Sequence, residues 1–216
     1  MKNISKVVLT LVLATFLTPL LLWVGTAQAD VYSSYKQLSK HQTKNKDYRI
    51  TSYNGPSSTA VIAIHGGKIE IGTCKLAKSV AQKTGSDLYT FEGIKKSNNN
   101  ALHITSSKFD EPIGKKIVAN STRTLSIHGC RGSSNVTYVG GKDKTLGAKV
   151  KAELKKAGFR VATPPARLAG TNSSNIANEN KSKKGVQLEL TYSQRQALLK
   201  NSSLYSKYVN ALSKAL

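Results

Sequence analysis

The stretch Thr59-Ala-Val-Ile-Ala-Ile-His65-Gly-Gly-Lys-Ile-Glu70-Ile-Gly-Thr73 decides how the rest of this sequence is interpreted. Its first part, Ala60 to Ile64, is apolar and rich in β-branched residues, which is typical of a buried strand. Two glycines then let the backbone turn tightly. Thr73 is a suitable N-cap for a helix over residues 74–83. The stretch therefore predicts a strand, a short loop and a helix.

His65 and Glu70 stand at the two ends of this loop. In α/β proteins, sites form at the carboxyl edge of the sheet, so both side chains can converge on one point there. An imidazole and a carboxylate that converge are suitable ligands for Zn²⁺. The short motif also leaves a simpler interpretation open, in which the histidine makes a hydrogen bond at the end of the strand and the glutamate is solvated.

The remaining sequence alternates between strand-like and helix-like segments. Strands are predicted at 48–53, 87–91, 102–105, 123–128, 136–139, 159–162 and 185–191, and helices at 112–120, 146–157, 193–200 and 202–216. This alternation predicts an α/β fold, a single three-layer α/β/α domain with a mixed sheet and helices on both faces. The polar segment 163–184 is long for a loop, so we expect it to be functional or disordered.

Two more polar residues lie on predicted strands. His128 ends a strand and is followed by glycine, as His65 is. In segment 185–191, apolar residues alternate with Gln187 and Glu189, which therefore share the opposite face. A carboxylate in such a strand is costly unless it is paired or has a function.

The first residues are typical of a secretory signal peptide. Lys2 and Lys6 precede an apolar run over residues 7–24, and Ala27-Gln28-Ala29 forms a cleavage site before Asp30. An uncleaved membrane anchor is the alternative, since the run is nearly long enough to span a bilayer. We predict cleavage after residue 29, one catalytic domain over 30–216 and no stable membrane anchor. The protein is expected outside the cell or in the cell wall, as a monomer.

The charge is strongly positive. The chain has 33 Lys and Arg against 11 Asp and Glu, a net charge of +22, and +20 remains when Lys2 and Lys6 are removed. Such a field attracts polyanions. Since no dense Lys/Arg tract carries interleaved aromatic residues, a dedicated nucleic-acid binder is not favoured. Teichoic acid, anionic membrane, an anionic polymer substrate and a basic surface kept for solubility all remain open.

The sequence contains two cysteines, Cys74 and Cys130. An even number of cysteines in a secreted protein permits one disulfide. Both lie within a few residues of the candidate site residues, so we predict that they come close enough to bond. Two buried free thiols are the alternative.

With His65, Glu70, His128 and Glu189 in place, the sequence resembles the phage-type poly-γ-glutamate hydrolases, zinc enzymes related in fold to the zinc carboxypeptidases. The similar stretches, in the order of the family, are Ile64-His-Gly-Gly-Lys-Ile-Glu-Ile-Gly-Thr73, Ala101-Leu-His-Ile-Thr-Ser-Ser-Lys-Phe-Asp-Glu-Pro112, Ser126-Ile-His-Gly-Cys130 and Val186-Gln-Leu-Glu-Leu190. They cover most of the chain after the signal peptide. The family does not explain Cys74, since it more often has small polar residues at that position.

The resemblance implies that His65, Glu70 and His128 bind one zinc ion and that Glu189 is the general base or acid. Two histidines and one glutamate leave a fourth position open for water, which is the pattern of catalytic zinc. The metal supplies a nucleophilic water near neutral pH, and a nearby carboxylate transfers the proton to the leaving amine.

Four further residues belong to the predicted site. Arg131 is expected to bind the oxyanion or a substrate carboxylate, with a structural salt bridge as the alternative. His103 either donates to substrate or is a core histidine with a local hydrogen bond. Asp110 is a candidate to orient a zinc-bound imidazole. Lys68 is assigned to substrate binding or to support of the ligands.

These observations predict a secreted zinc hydrolase that cleaves poly-γ-glutamate, a polyanion to which a basic protein is drawn. One alternative is a cell-wall amidase or peptidase that acts on a γ-glutamyl bond of peptidoglycan. Another is a non-catalytic basic protein that binds polyanions. The four intact site residues favour an enzyme.

Overall fold

The computed structural model describes residues 30–216, so the predicted signal peptide lies outside the described residues. The strands are β1 (Tyr48–Tyr53), β2 (Thr59–Gly67), β3 (Asp87–Gly93), β4 (Arg123–Cys130), β5 (Thr137–Gly141), β6 (Val161–Ala162) and β7 (Val186–Thr191). The α-helices are α1 (Tyr35–His41), α2 (Thr73–Thr84), α3 (Pro112–Asn120), α4 (Lys144–Lys156), α5 (Tyr192–Lys200) and α6 (Ser202–Ala215). None of the described helices is long and apolar enough to span a bilayer.

The strands form one mixed sheet of seven in the order β1-β3-β2-β4-β7-β5-β6. The central strands β3, β2, β4 and β7 are parallel, while β1 and β5 run antiparallel to their neighbours β3 and β7. Parallel strands need both faces covered, and residues 60–64 of β2 are accordingly all fully buried. The carboxyl ends of the four parallel strands therefore meet at one edge of the sheet.

Helices cover both faces of the sheet and complete three layers. One face packs against α2, α4, α5 and α6 around residues such as Val61, Leu125 and Leu188. The other face packs against α1 and α3 around Ile62 and Phe91. This arrangement confirms the predicted three-layer α/β/α fold with a mixed sheet.

Most predicted elements form within a few residues of their expected bounds, but the strand predicted at 102–105 is wrong. A 3₁₀ turn, Asn99–Leu102, begins there after Asn98 in the left-handed conformation with φ 55°. Leu102 and Ile104 are fully buried against the second face of the sheet without pairing to any strand. Their apolar character reflects packing above the sheet, which sequence alternation does not distinguish from a strand.

The N-cap of α2 also differs from the prediction. Gly72, with φ 98°, is the cap, and Thr73 is the first helical residue. The Thr73 hydroxyl donates to the Glu70 carbonyl at 2.9 Å, so this threonine fastens the loop to the helix instead.

The polar segment 163–184 is ordered by its asparagines. It contains the 3₁₀ turns Ala166–Leu168 and Ile176–Asn178. The Asn178 side chain donates to the carbonyls of Gly170 and Asn172 and accepts from the Gly185 N–H. These bonds satisfy the backbone of a segment that has no sheet partner. The segment is therefore held against the sheet beside β7.

A buried carboxylate, Glu92, ties β1, β3 and α2 together. Arg49 and Lys78 contact its two oxygens at 2.8 and 2.7 Å, and the Thr90 hydroxyl donates at 2.8 Å. Burial by itself raises the pKa of Glu92, but the hydrogen bonds from Lys78, Arg49 and Thr90 lower it to about 2.

We predict that Glu92→Gln lowers the free energy of unfolding by about 2 kcal/mol at pH 6, because charge-assisted hydrogen bonds are lost. Since the folded-state pKa lies below the ordinary value of 4.5, this contribution is complete above pH 4.5 and is lost as the pH falls toward 2. Urea unfolding at several pH values measures it, with Glu153→Gln on α4 as control. A stability difference that stays constant down to pH 3 would contradict the assignment.

Candidate metal centre

Three side chains converge at the carboxyl edge of the parallel strands. His65 comes from the end of β2, Glu70 from the loop that follows, and His128 from the end of the neighbouring β4. His65 Nδ1 lies 3.1 Å from His128 Nδ1 and 3.2 Å from Glu70 Oε1, and His128 Nδ1 lies 3.8 Å from Glu70 Oε2. Within residues 30–216, this is the group of His, Cys, Asp and Glu residues arranged to hold a metal ion.

These separations suit a tetrahedral cation. Zinc–nitrogen and zinc–oxygen bonds of about 2.0–2.1 Å place neighbouring ligand atoms about 3.3 Å apart. The ligand atoms therefore already stand near the distances that one zinc ion requires. His65, Glu70 and His128 would thus supply three of the four ligands of a bound zinc ion.

Hydrogen bonds on the far side of each ligand fix its orientation. His65 Nε2 lies 2.9 Å from the carbonyl oxygen of Ile104, and His128 Nε2 lies 2.9 Å from the hydroxyl of Ser126. A carbonyl only accepts, so His65 carries a proton on Nε2 and its Nδ1 is directed to the centre. Partners of this kind orient metal-binding histidines.

An irregularity in β2 directs His65 to this place. Strict alternation would put His65 on the sheet face of Val61 and Ala63, under α2. The pairing of β2 with β3 shifts register between Ala63 and Gly66, and the His65 ring instead contacts Ile104 on the other side. Register irregularities of this kind re-aim side chains next to active sites.

The charges within the cluster are strongly coupled. Burial favours the neutral forms, but the His65–Glu70 contact raises the pKa of His65 and lowers that of Glu70 to about 2. Burial and the nearby His65 lower the pKa of His128 to about 3. The carboxylate form of Glu70 and the neutral form of His128 are therefore favoured, and these are the forms that bind a metal ion.

Glu189 lies beside the cluster on β7. It is the register partner of His128 on β4, so both side chains are on the same sheet face. Its Oε1 accepts from Gln187 Nε2 at 2.9 Å, and Gln187 Oε1 accepts in turn from Asn175 at 2.8 Å. Burial and the negative charge of Glu70 raise the pKa of Glu189 well above its ordinary value. The sequence alternation on this strand is thus confirmed.

An open cleft of about 470 Å³ reaches the cluster at Glu70 and Gly129. Arg131, Tyr192 and Arg195 contribute to its wall. Arg131 is exposed there, and its predicted contact with an anion stays a prediction. The cleft therefore gives the cluster access to solvent at Glu70.

The other predicted site residues have different positions. The His103 ring stacks on His65 with centroids 3.9 Å apart, and its Nδ1 lies 2.7 Å from Asp30. Lys68 is exposed and donates to the Lys95 carbonyl, on the outer side of the loop. His103 therefore adjoins the cluster directly, whereas Lys68 has a structural contact.

Contrary to the prediction, Asp110 does not orient a ligand imidazole. Its carboxylate accepts from the backbone N–H of Tyr35 and so fastens the start of α1. The His65 and His128 rings are instead oriented by Ile104 and Ser126.

The predicted disulfide is absent, since Cys74 and Cys130 are both free thiols. The Cys74 sulfur accepts from the Gly67 N–H near Glu92 and Lys78, whereas Cys130 lies near Glu189 and Arg195. Both cysteines are close to candidate site residues in sequence, but their sulfurs have different neighbours in the fold and do not bond.

Sequence reasoning missed Arg195 and Asp30. Arg195 on α5 is nearly buried, whereas a charged residue on a predicted helix is ordinarily expected to be exposed, so no sequence signal marked it. Asp30 bonds His103 and the N–H of Thr105 at 2.7 Å each, on either side of the Ile104 carbonyl that holds His65. No local sequence pattern indicates that Asp30 contacts this segment.

Comparison with known proteins identifies the family. The family described as poly-gamma-glutamate hydrolase matches residues 32–214. The chain belongs to this family of hydrolases. The resemblance noted in the sequence is thereby confirmed.

Individual relatives agree with this assignment. The SPbeta prophage-derived UPF0714 protein YoqZ of Bacillus subtilis (strain 168) is 36% identical over 178 residues, covering 82% of this chain and 64% of that protein. This chain thus spans less than two thirds of that relative's length. A solved bacteriophage poly-gamma-glutamate hydrolase is 31% identical with a TM-score of 0.83, covering 87% of this chain and 96% of that one. A structure described as zinc-free apo YNDL is also 31% identical, with a TM-score of 0.78 and coverage of 87% and 97%.

We predict that the purified protein binds one zinc ion and that His65→Ala or His128→Ala abolishes stoichiometric binding, because each removes one of three protein ligands. Metal analysis after dialysis measures the occupancy. His41→Ala is the matched control, since His41 lies on α1 and stacks on Tyr32. Full zinc occupancy in both ligand variants would exclude this centre.

Proposed function

We propose that this chain is a secreted zinc-dependent hydrolase that cleaves the γ-glutamyl amide bonds of poly-γ-glutamate. The observation that carries the proposal is the convergence of His65, Glu70 and His128 beside Glu189, at a cleft with arginines in its wall. Membership of the poly-γ-glutamate hydrolase family supports the same substrate.

Zinc is the proposed cofactor, held by His65, Glu70 and His128. Their spacing suits a tetrahedral ion, and a relative described as zinc-free in its apo form supports this choice of metal. When bound, zinc supplies a water of lowered pKa and polarises a carbonyl.

Glu189 is the proposed general base. Gln187 occupies its Oε1, and no hydrogen bond to its Oε2 is found within residues 30–216. Oε2 therefore takes a proton during attack on the amide and returns it to the leaving nitrogen. Gln187 and Asn175 keep the carboxyl in place while this proton moves.

The net positive charge of the chain supports poly-γ-glutamate as the proposed substrate. Poly-γ-glutamate has one free carboxylate per residue, and the chain without Lys2 and Lys6 has a net charge of +20. The exposed Arg131 brings this positive charge to the cleft wall. We propose that the field recruits the polymer and that Arg131 contacts a substrate carboxylate near the scissile bond.

Secretion is proposed from residues 1–29, which have the basic start, apolar run and cleavage site of a signal peptide. An extracellular or wall-associated enzyme would meet polymer outside the cell. We expect the mature protein to act as a monomer.

The test is turnover by the purified zinc-loaded protein on two substrates. Viscosity loss of a poly-γ-glutamate solution is expected, with new amino groups released and little release from purified cell walls. Cleavage of walls without cleavage of the polymer would identify a γ-glutamyl wall peptidase instead. Binding of polymer without any turnover would identify a non-catalytic polyanion-binding protein.

We predict that Glu189→Gln retains its fold and zinc but lowers kcat at least about a hundredfold, since it removes the group that transfers the proton. Steady-state turnover and metal analysis measure the two effects. Glu153→Gln, on α4, is expected to have the activity of the unchanged protein. Near-normal turnover by Glu189→Gln would show that another group is the base.

Salt dependence tests the role of the basic field. Recruitment of a long polyanion releases condensed counterions, so we predict that KM for long polymer rises steeply with salt. Charges in the buried centre are screened less, so kcat is expected to change little. A short γ-glutamyl oligomer contacts fewer Lys and Arg residues and should show a weaker rise. A flat KM for long polymer would show that the charge has another purpose.

A further inference from the structure

Arg195 makes contacts that the proposed chemistry does not use. It lies on α5, directly after β7, and only 8% of the residue is exposed. Its guanidinium donates to three backbone carbonyls: Nη1 to Ile71 at 2.8 Å, Nε to Leu190 at 3.3 Å and Nη2 to Cys130 at 3.4 Å. One side chain therefore links the loop after β2, the end of β4 and the end of β7.

The three acceptors stand next to the site residues in sequence. Ile71 follows Glu70, Leu190 follows Glu189, and Cys130 is two residues after His128. These site residues come from separate elements: the loop after β2, β4 and β7. The rigid planar fork of arginine suits such a task, since it fixes several acceptors in one plane.

Gly129 reinforces the link. A Cβ at this position would lie 2.5 Å from Arg195 Nε and 2.6 Å from Cζ, so the guanidinium requires a glycine here. The Gly129 N–H in turn donates to Glu70 Oε2 at 2.7 Å. Arg195 thus packs directly on the peptide that holds the carboxylate ligand.

The charge of Arg195 also serves the site. Burial lowers the pKa of Arg195, but the negative charges of Glu70 and Glu189 act against this shift, so the guanidinium and the two carboxylates stabilise one another. Two buried carboxylates near each other are unfavourable without a compensating cation. The Tyr192 ring lies 5.8 Å from the guanidinium carbon on the cleft side.

We propose that Arg195 is a positioning residue that holds Glu70, His128 and Glu189 in one arrangement and thereby sets metal affinity and kcat. The inferred effect on kcat rests on the proposed function, whereas the inferred effect on metal affinity rests only on the geometry of His65, Glu70 and His128. Three of its donors are directed at backbone carbonyls, so its main contacts are with the protein and not with substrate.

The test compares Arg195→Met and Arg195→Lys with the unchanged protein. We expect Arg195→Met to lower both zinc affinity and kcat by about ten- to a hundredfold, the usual effect of removing a group that orients metal ligands, while KM changes little. Arg195→Lys keeps the charge but not the three directed donors. Its zinc affinity and kcat should therefore lie between those of Arg195→Met and those of the unchanged protein. Competition with a chromophoric chelator gives the zinc affinity, and a short γ-glutamyl oligomer gives kcat and KM.

Arg123→Met is the matched control. Arg123 begins β4, and its Nη1 donates to the carbonyl of Leu216 at 3.2 Å, so it too is an arginine bound to a backbone carbonyl. It lies at the end of the strand opposite to His128. Zinc affinity and kcat of this variant are expected to equal those of the unchanged protein.

Rescue separates positioning from folding. In Arg195→Ala, millimolar guanidinium should partly restore zinc affinity, while sodium chloride at equal ionic strength should not. A rise in KM with unchanged zinc affinity would overturn the proposal and assign Arg195 to substrate binding. Lower stability with unchanged zinc affinity and kcat would overturn it as well. If the unchanged protein does not hydrolyse the polymer, the proposed function fails, but the zinc measurement still decides the role of Arg195.

Discussion

The buried contact between His65 and Glu70 is the constraint on which the rest of the site depends. The His65 ring lies 3.2 Å from the Glu70 carboxylate and 3.1 Å from the His128 ring, and both histidines are buried. Such burial is costly unless every group has a partner. The Gly129 N–H, the Ile104 carbonyl and the Ser126 hydroxyl supply those partners. The lone pairs of His65 Nδ1, His128 Nδ1 and the Glu70 carboxylate are then available to a cation.

The sheet explains why these groups meet. Adjacent parallel strands end at one edge, so β2, β4 and β7 bring His65, His128 and Glu189 together from distant parts of the sequence. Segments without regular structure then hold the side chains from outside. Asn175 supports Gln187 and through it Glu189, while Asp30 fastens the segment that contains Ile104. Loops as well as strands therefore fix the positions of the side chains in the centre.

The charges on the protein surface and those at the candidate metal centre act over different ranges. The net positive charge of the chain is distributed over exposed Lys and Arg residues, whose field is long-ranged and sensitive to salt. The centre is compact and buried, and the Arg195 guanidinium donates to backbone carbonyls of the segments that carry Glu70 and Glu189. Capture of a polyanion and chemistry on one of its bonds are therefore suited to separate groups of residues.

The sequence by itself determined the elements that local patterns encode. Alternation in residues 185–191 places Glu189 opposite the apolar face, and strand ends followed by glycine mark His65 and His128. Only the tertiary structure decided which distant groups meet. Asp110 fastens α1, Cys74 and Cys130 stay apart, Leu102 and Ile104 pack without a strand, and Arg195 joins three segments. The physical reason is that periodicity reports the face on which a side chain lies, whereas contacts across loops depend on how whole elements pack.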